Sequence, residues 1–153
     1  MSAYQWKTRG LYKTDANVAG AVFEELESTV GLTAENIVEI SREEDAPLHN
    51  EFEWNDTAAA DKWRMEQARR MIGNLSIVVA ETEEEEIVPV RAFFSTELHH
   101  YENIQTIMTD VSKKLTLMQK AVRELQAFKK KYAMLSELSK LFEAIDEVTK
   151  EVS

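Results

Sequence analysis

Apolar residues recur at helical spacing three times in the first half of the chain. Val18, Val22, Phe23 and Leu26 share one face of a helix predicted over 16–29, with Asp15 or Asn17 as its cap and Gly31 past its end. Ile37, Val38 and Ile40 form the apolar side of a second helix that opens at Thr33, where Asn36 stands in the place of the usual glutamate of a capping box. A third helix is predicted over about 57–74, capped by Asn55 or Asp56 and ended by Gly73-Asn74. Ala60, Trp63, Ala68, Met71, Ile72 and Leu75 share its apolar face, with Met65 at the edge and Lys62, Glu66 and Arg69 opposite. Arg64 falls inside that face. Either Glu51 or Glu53 in the preceding loop partners a buried guanidinium, or Arg64 sits at the margin and reaches water.

Between the second and third helices, Pro47 stops the helix before it. Phe52 and Trp54 alternate with Glu51, Glu53 and Asn55, which predicts a short extended segment with both rings inward. Tyr4–Lys13 mixes aromatic with basic residues and reads as a short strand or an ordered arm. Ser76–Ala80 and Ile87–Phe94 are β-rich, and Glu81–Glu86 between them makes a charged hairpin tip. Thr96–Asn103 reads as a connection.

From Ile104 to Val152 the pattern is helical again. Met108, Val111, Leu115, Met118, Val122 and Leu125 step by three and four, a coiled-coil-like seam. From Phe128 the apolar spacing tightens, so the register slips. Two helices are expected, broken around Lys131–Ser136, with Ser136 and Ser139 as capping candidates. The fold expected is α+β and mainly helical. A winged-helix-like domain of three helices and a β-hairpin spans 1–98, and a helical hairpin or coiled-coil-like extension spans 99–153.

Charge changes this picture by segment. The 153 residues carry a net charge of −10. Residues 1–75 hold 8 basic and 14 acidic side chains (−6), 76–103 hold 1 and 7 (−6), and 104–153 hold 9 and 7 (+2). An acidic total opposes non-specific nucleic-acid binding, which the phosphate backbone dominates. Yet Lys113–Lys131 carries seven basic residues against one glutamate. With no cysteine there is no disulfide, thiolate metal site or cysteine nucleophile. No apolar run approaches the ~18 residues of a transmembrane helix, and an intracellular setting away from the membrane is expected.

Candidate chemistry is sparse. Phosphate-cradling glycine loops, nucleophile elbows and paired metal-binding histidines are absent, so no enzyme activity, catalytic residue or cofactor is expected. His49, Glu51 and Glu53 fall on one side of an extended segment, but pairing with Arg64 or with water is favoured over a metal. His99-His100 read as surface residues. The binding signal is stronger. Three helices and a hairpin give the order of a winged helix-turn-helix, with Lys62, Arg69 and Arg70 of the third helix contacting DNA. A long loop after the second helix, the acidic wing tip and the acidic first 75 residues argue against it. Lys113, Lys114 and Lys120 beside the seam offer a second nucleic-acid face. The seam itself must bury against its own chain or a second copy.

Trp6-Lys7 near the start, PLHNEFEWND over 47–56 and RMEQAR over 64–69 resemble motifs of a group of small proteins of bacteriophages and integrated mobile elements. The likeness covers most of the chain. It implies a phage or prophage origin and a host-cytoplasmic or virion setting, and it carries over no site residues. The expected function is a phage-encoded, non-enzymatic binding protein that self-associates through its C-terminal helices, with DNA as ligand in gene regulation or DNA handling. The alternative is a virion structural or adaptor protein, or an inhibitor of a host protein, acting through its acidic surface.

Overall fold

A computed structural model of the chain describes residues 3–55, 58–78, 89–97 and 99–153. The Glu81–Glu86 tip and the Asp56 cap lie outside these residues. The chain forms two compact units, Met1–Ile104 and Gln105–Ser153. The first unit includes residues 100–103 as a strand.

The first unit begins with β1 (Ala3–Trp6), which pairs antiparallel with β2 (Leu75–Val78); β2 pairs in turn with β3 (Val90–Arg91). The reading of the N-terminus as a strand and as an arm is met by both: β1 is followed by an irregular stretch to Thr14. Asp15 caps α1 (Ala16–Ser28) by accepting from the Asn17 N–H. Ala16, Ala19, Gly20, Phe23 and Leu26 form the buried face of α1, whereas Val18 is exposed. The expected apolar face is thus rotated towards the small residues. The reason is Tyr4, whose ring lies on Gly20. Gly31, at φ 102°, donates from its N–H to the Leu26 carbonyl and turns the chain past the helix.

Thr33 caps α2 (Ala34–Ile40) by accepting from the Asn36 N–H. The Asn36 amide does not complete a capping box. It donates instead to the carbonyls of Gly31 and Val30. After a single 3₁₀ turn at His49–Glu51 the chain runs into α3 (Ala58–Asn74). Ala68, Met71 and Ile72 of α3 and Leu75 just beyond it are fully buried, meeting Phe23, Ile37 and Phe93 in one core.

Thr96–Asn103 is not a connection. Phe93–Glu97 (β4) and His100–Asn103 (β5) form a second antiparallel hairpin, with His99 at φ 67° in its turn. The Tyr101 N–H also bonds the Leu32 carbonyl, a long-range tie that local patterning does not reveal.

α4 (Ile104–Met108) leads into the second unit. There α5 (Val111–Lys131), capped by Asp110, and α6 (Ser139–Val152) form a helical hairpin. The break falls where the register slip placed it. Ser136 opens a short 3₁₀ turn (Ser136–Leu138), and no serine side chain caps α6. Phe142 and Ile145 are the buried residues of α6. Lys129 Nζ bonds both Asp146 carboxylate oxygens at 2.8 and 2.7 Å, and Gln126 Nε2 donates to Thr149 Oγ1 at 2.7 Å. The architecture is α+β and mainly helical, with small antiparallel sheets. No helix among the described residues is long and apolar enough to cross a membrane.

Candidate functional site

The loop before α3 is built around Trp54. The His49 ring stacks on it at 5.1 Å and 8°, and the indole Nε1–H donates to the His49 carbonyl. His49 Nδ1 bonds the Ser41 carbonyl at 2.8 Å. On Trp54 lies the Arg64 guanidinium, 4.8 Å from the ring centroid, with Arg42 at 5.7 Å. Arg64 is 1% exposed. Its expected partners, the carboxylates of Glu51 and Glu53, are not the ones it takes. Nε donates to the Glu53 carbonyl, Nη2 to the Asn55 carbonyl at 2.9 Å and Nη1 to Asp61 Oδ1 at 2.8 Å. A planar fork with five donors suits three acceptors spread along a bent chain. The shared carboxylate, Asp61, also accepts from Arg42 and is held below its usual carboxylate range, first by Arg42 and then by Arg64.

Glu51 turns the other way. One carboxylate oxygen accepts from the Lys13 and Thr14 N–H groups at 2.7 and 3.1 Å. His49 and Glu51 therefore turn to different partners, and Glu53 meets Arg64 through its backbone carbonyl rather than its carboxylate. Among the described residues no three His, Asp or Glu side chains come together as a metal site.

The three basic residues expected on α3 separate. Arg69 reaches Glu35 of α2 at 3.8 Å and Glu66 at 3.7 Å. Arg70 reaches Glu66 at 3.6 Å, and its guanidinium lies 5.3 Å from the Trp63 ring centroid. Lys62 is exposed. Trp63, expected among the inward anchors, is 48% exposed. It stands at the rim of a cleft of about 790 Å³ between α3, the Lys7–Lys13 arm and the Asn50–Glu53 loop. Trp63, Gln67, Arg70 and Asn74 form one stripe of α3 facing this cleft. The i, i+4, i+7, i+11 spacing is visible in the sequence, but its opposite wall is not, because it comes from the arm and the loop. Tyr12 of the arm packs on Trp6 at 4.4 Å between centroids, and its phenol is pushed up by burial and by nearby Glu51.

In the second unit the basic residues lie along α5. At 100° per residue, Lys120, Arg123, Lys130 and Lys131 fall on the back of the helix, away from the seam, and Lys113 lies in line with them. Lys114 sits nearer the seam. On the seam Val111 is 85% exposed, Leu115 45% and Met118 43%, and α5 has no buried residue. Comparison with protein-family models, with curated proteins and with solved structures finds no match.

Proposed function

We propose that this chain is a phage-encoded, non-enzymatic binding protein that pairs with a second copy through its C-terminal helices and contacts nucleic acid, in a host-cytoplasmic or virion setting. The observation that carries the nucleic-acid reading is the basic back of α5. Lys120, Arg123, Lys130 and Lys131 recur along a 21-residue helix that carries seven basic side chains and one glutamate. A helix of that length presents a line of charge about 30 Å long, which matches a phosphate backbone rather than a single anion. On this reading the first unit is winged-helix-like and α3 is an accessory contact, since Arg69 and Arg70 already share carboxylates.

A second copy is supported by the seam. Apolar Val111, Leu115, Met118, Leu125 and Phe128 stand open to solvent on α5, as do Leu141 and Val148 on α6. α5 carries seven basic and one acidic residue (+6), and α6 two and four (−2). Two hairpins packed through this seam leave the basic back of α5 open on each copy.

Fluorescence anisotropy with labelled duplex DNA across a salt series tests the reading. Binding should weaken steeply with salt, and Lys120→Gln with Lys130→Gln should flatten the log–log slope by about 2. No binding at low salt overturns it. The adaptor reading, in which the net −6 of residues 1–75 meets a basic protein, then takes its place.

A further inference from the structure

The cleft beside Trp63 has a lining unlike that of the basic helix α5. Its volume of about 790 Å³ lies within the ~300–1,000 Å³ typical of small-molecule sites. Three features of its wall point to one class of occupant.

The first is an exposed aromatic plate. Trp63 is half in water although the same helix buries Ala68, Met71 and Ile72 completely, and Arg70 holds its guanidinium over the ring. An indole left open beside a cation is a stacking surface for a planar ring. The second is an orphan acceptor. Gln67 Oε1 is buried and has no hydrogen-bond partner. A buried carbonyl without a donor is unfavourable, so a ligand N–H that meets it as the Gln67 side chain turns into the cleft gains that interaction. The third is the charge at the mouth. Lys7, Lys13 and Arg70 line the cleft with Glu51 and Glu53, and Glu51 is engaged by the backbone of Lys13 and Thr14.

An inorganic anion would use the cations but neither Trp63 nor Gln67. A purely apolar molecule would leave Gln67 Oε1 unpaired. A planar heterocycle with N–H donors and an attached phosphate uses all three features. We infer that the cleft binds a nucleotide unit, its base on Trp63 with an N–H to Gln67 Oε1 and its phosphate towards Lys7 and Lys13. A free nucleoside monophosphate and one unit of a single strand share this chemistry. The inference stands whether or not α5 binds duplex DNA.

The test is a titration of the ¹⁵N-labelled full chain with the four nucleoside 5′-monophosphates, the matching nucleosides and a single-stranded octanucleotide, followed at the tryptophan indole N–H signals. The Trp63 signal should shift and saturate, while those of Trp6 and Trp54 move little. The monophosphate should bind at least tenfold more tightly than its nucleoside, and Lys7→Gln with Lys13→Gln should erase that difference. Gln67→Leu should weaken binding at least tenfold with thermal stability unchanged or raised, since it removes the orphan acceptor. Saturation by monophosphates assigns the site to free nucleotides, and saturation by the octanucleotide alone assigns it to a strand. No saturable Trp63 shift with any probe, or unchanged affinity in the Gln67→Leu chain, overturns the inference. Anisotropy with duplex DNA on the Trp63→Ala chain should be unchanged, which separates this site from the face of α5.

Discussion

The ring of Tyr4 occupies the space that any side chain at position 20 would need. A β-carbon on Gly20 would lie 2.2 Å from Tyr4 Cδ2. β1 therefore crosses α1 at contact distance, and Tyr4 is locked there by its hydroxyl, which donates to Glu24 and accepts from Asn103 of β5.

Gly20→Ala sets helix propensity, which favours alanine by about 1 kcal/mol, against a displaced Tyr4. Overpacking of this kind costs about 1–3 kcal/mol, and here it also disturbs two hydrogen bonds, so net destabilisation of about 2 kcal/mol is expected. Urea denaturation measures it, and a stabilised variant would show that the crossing is looser than described.

Tyr4 also gives the fold an alkaline limit. Burial, and then the hydrogen bond to Glu24, raise its phenol well above the ordinary value of 10.0. The folded state thus favours the protonated phenol. That contribution is complete below the unfolded value and is lost as pH rises beyond it. Tyr4→Phe should cost about 1–2 kcal/mol at neutral pH and remove this part of the alkaline loss, read from melting temperatures between pH 8 and 11.

Arg64 binds the Trp54 loop to α3 through two backbone carbonyls. Arg64→Met keeps the apolar stem but leaves the Glu53 and Asn55 carbonyls without donors, and should cost about 2–4 kcal/mol. Arg64→Lys should recover only part of it, because one ammonium cannot span acceptors on two residues and Asp61. Equal stability of the lysine and arginine chains, by denaturant titration, would contradict the fork geometry.

At the acid end Asp61 is one of the sensitive groups. Its folded-state value lies below its ordinary 3.8, through Arg42 first and Arg64 second. The stability it contributes is present above 3.8 and disappears as pH falls through the depressed value. In Asp61→Asn the acid unfolding curve should lose this component, seen as a shallower decline in melting temperature between pH 5 and 2.

Self-association has a direct test in the intact chain. Leu115→Glu with Met118→Glu places charge on side chains that are 45% and 43% exposed, so the hairpin should still form. Light scattering should show a dimer for the parent and a monomer for the variant, with unchanged helical circular dichroism. A parent that already runs as a monomer would remove the second copy from the proposal.

Helix positions were legible wherever a short-range rule decides them. Asp15 and Thr33 cap as their side chains dictate, and the slip after Phe128 marks the turn between α5 and α6. What stayed hidden depends on distant partners. Val18 looks like core until Tyr4 claims the neighbouring face. β5 looks like a connection until β4 and Leu32 supply its hydrogen bonds. Arg64 allowed two readings, a buried cation paired in the preceding loop or a marginal one reaching water, and patterning of side chains says nothing of the carbonyl oxygens it takes. The cleft was half visible, as one stripe of α3 whose opposite wall comes from residues far away in sequence.

The polar clasp between α5 and α6 has a further consequence. Leucine and phenylalanine contacts tolerate sliding, since one apolar step resembles the next. Lys129 on Asp146 and Gln126 on Thr149 do not. Moving α6 by a single turn, about 5.4 Å, parts both pairs at once. The hairpin therefore has one allowed alignment, and the lysines behind α5 are held at constant spacing relative to the carboxylates of α6, like marks on two rulers pinned together.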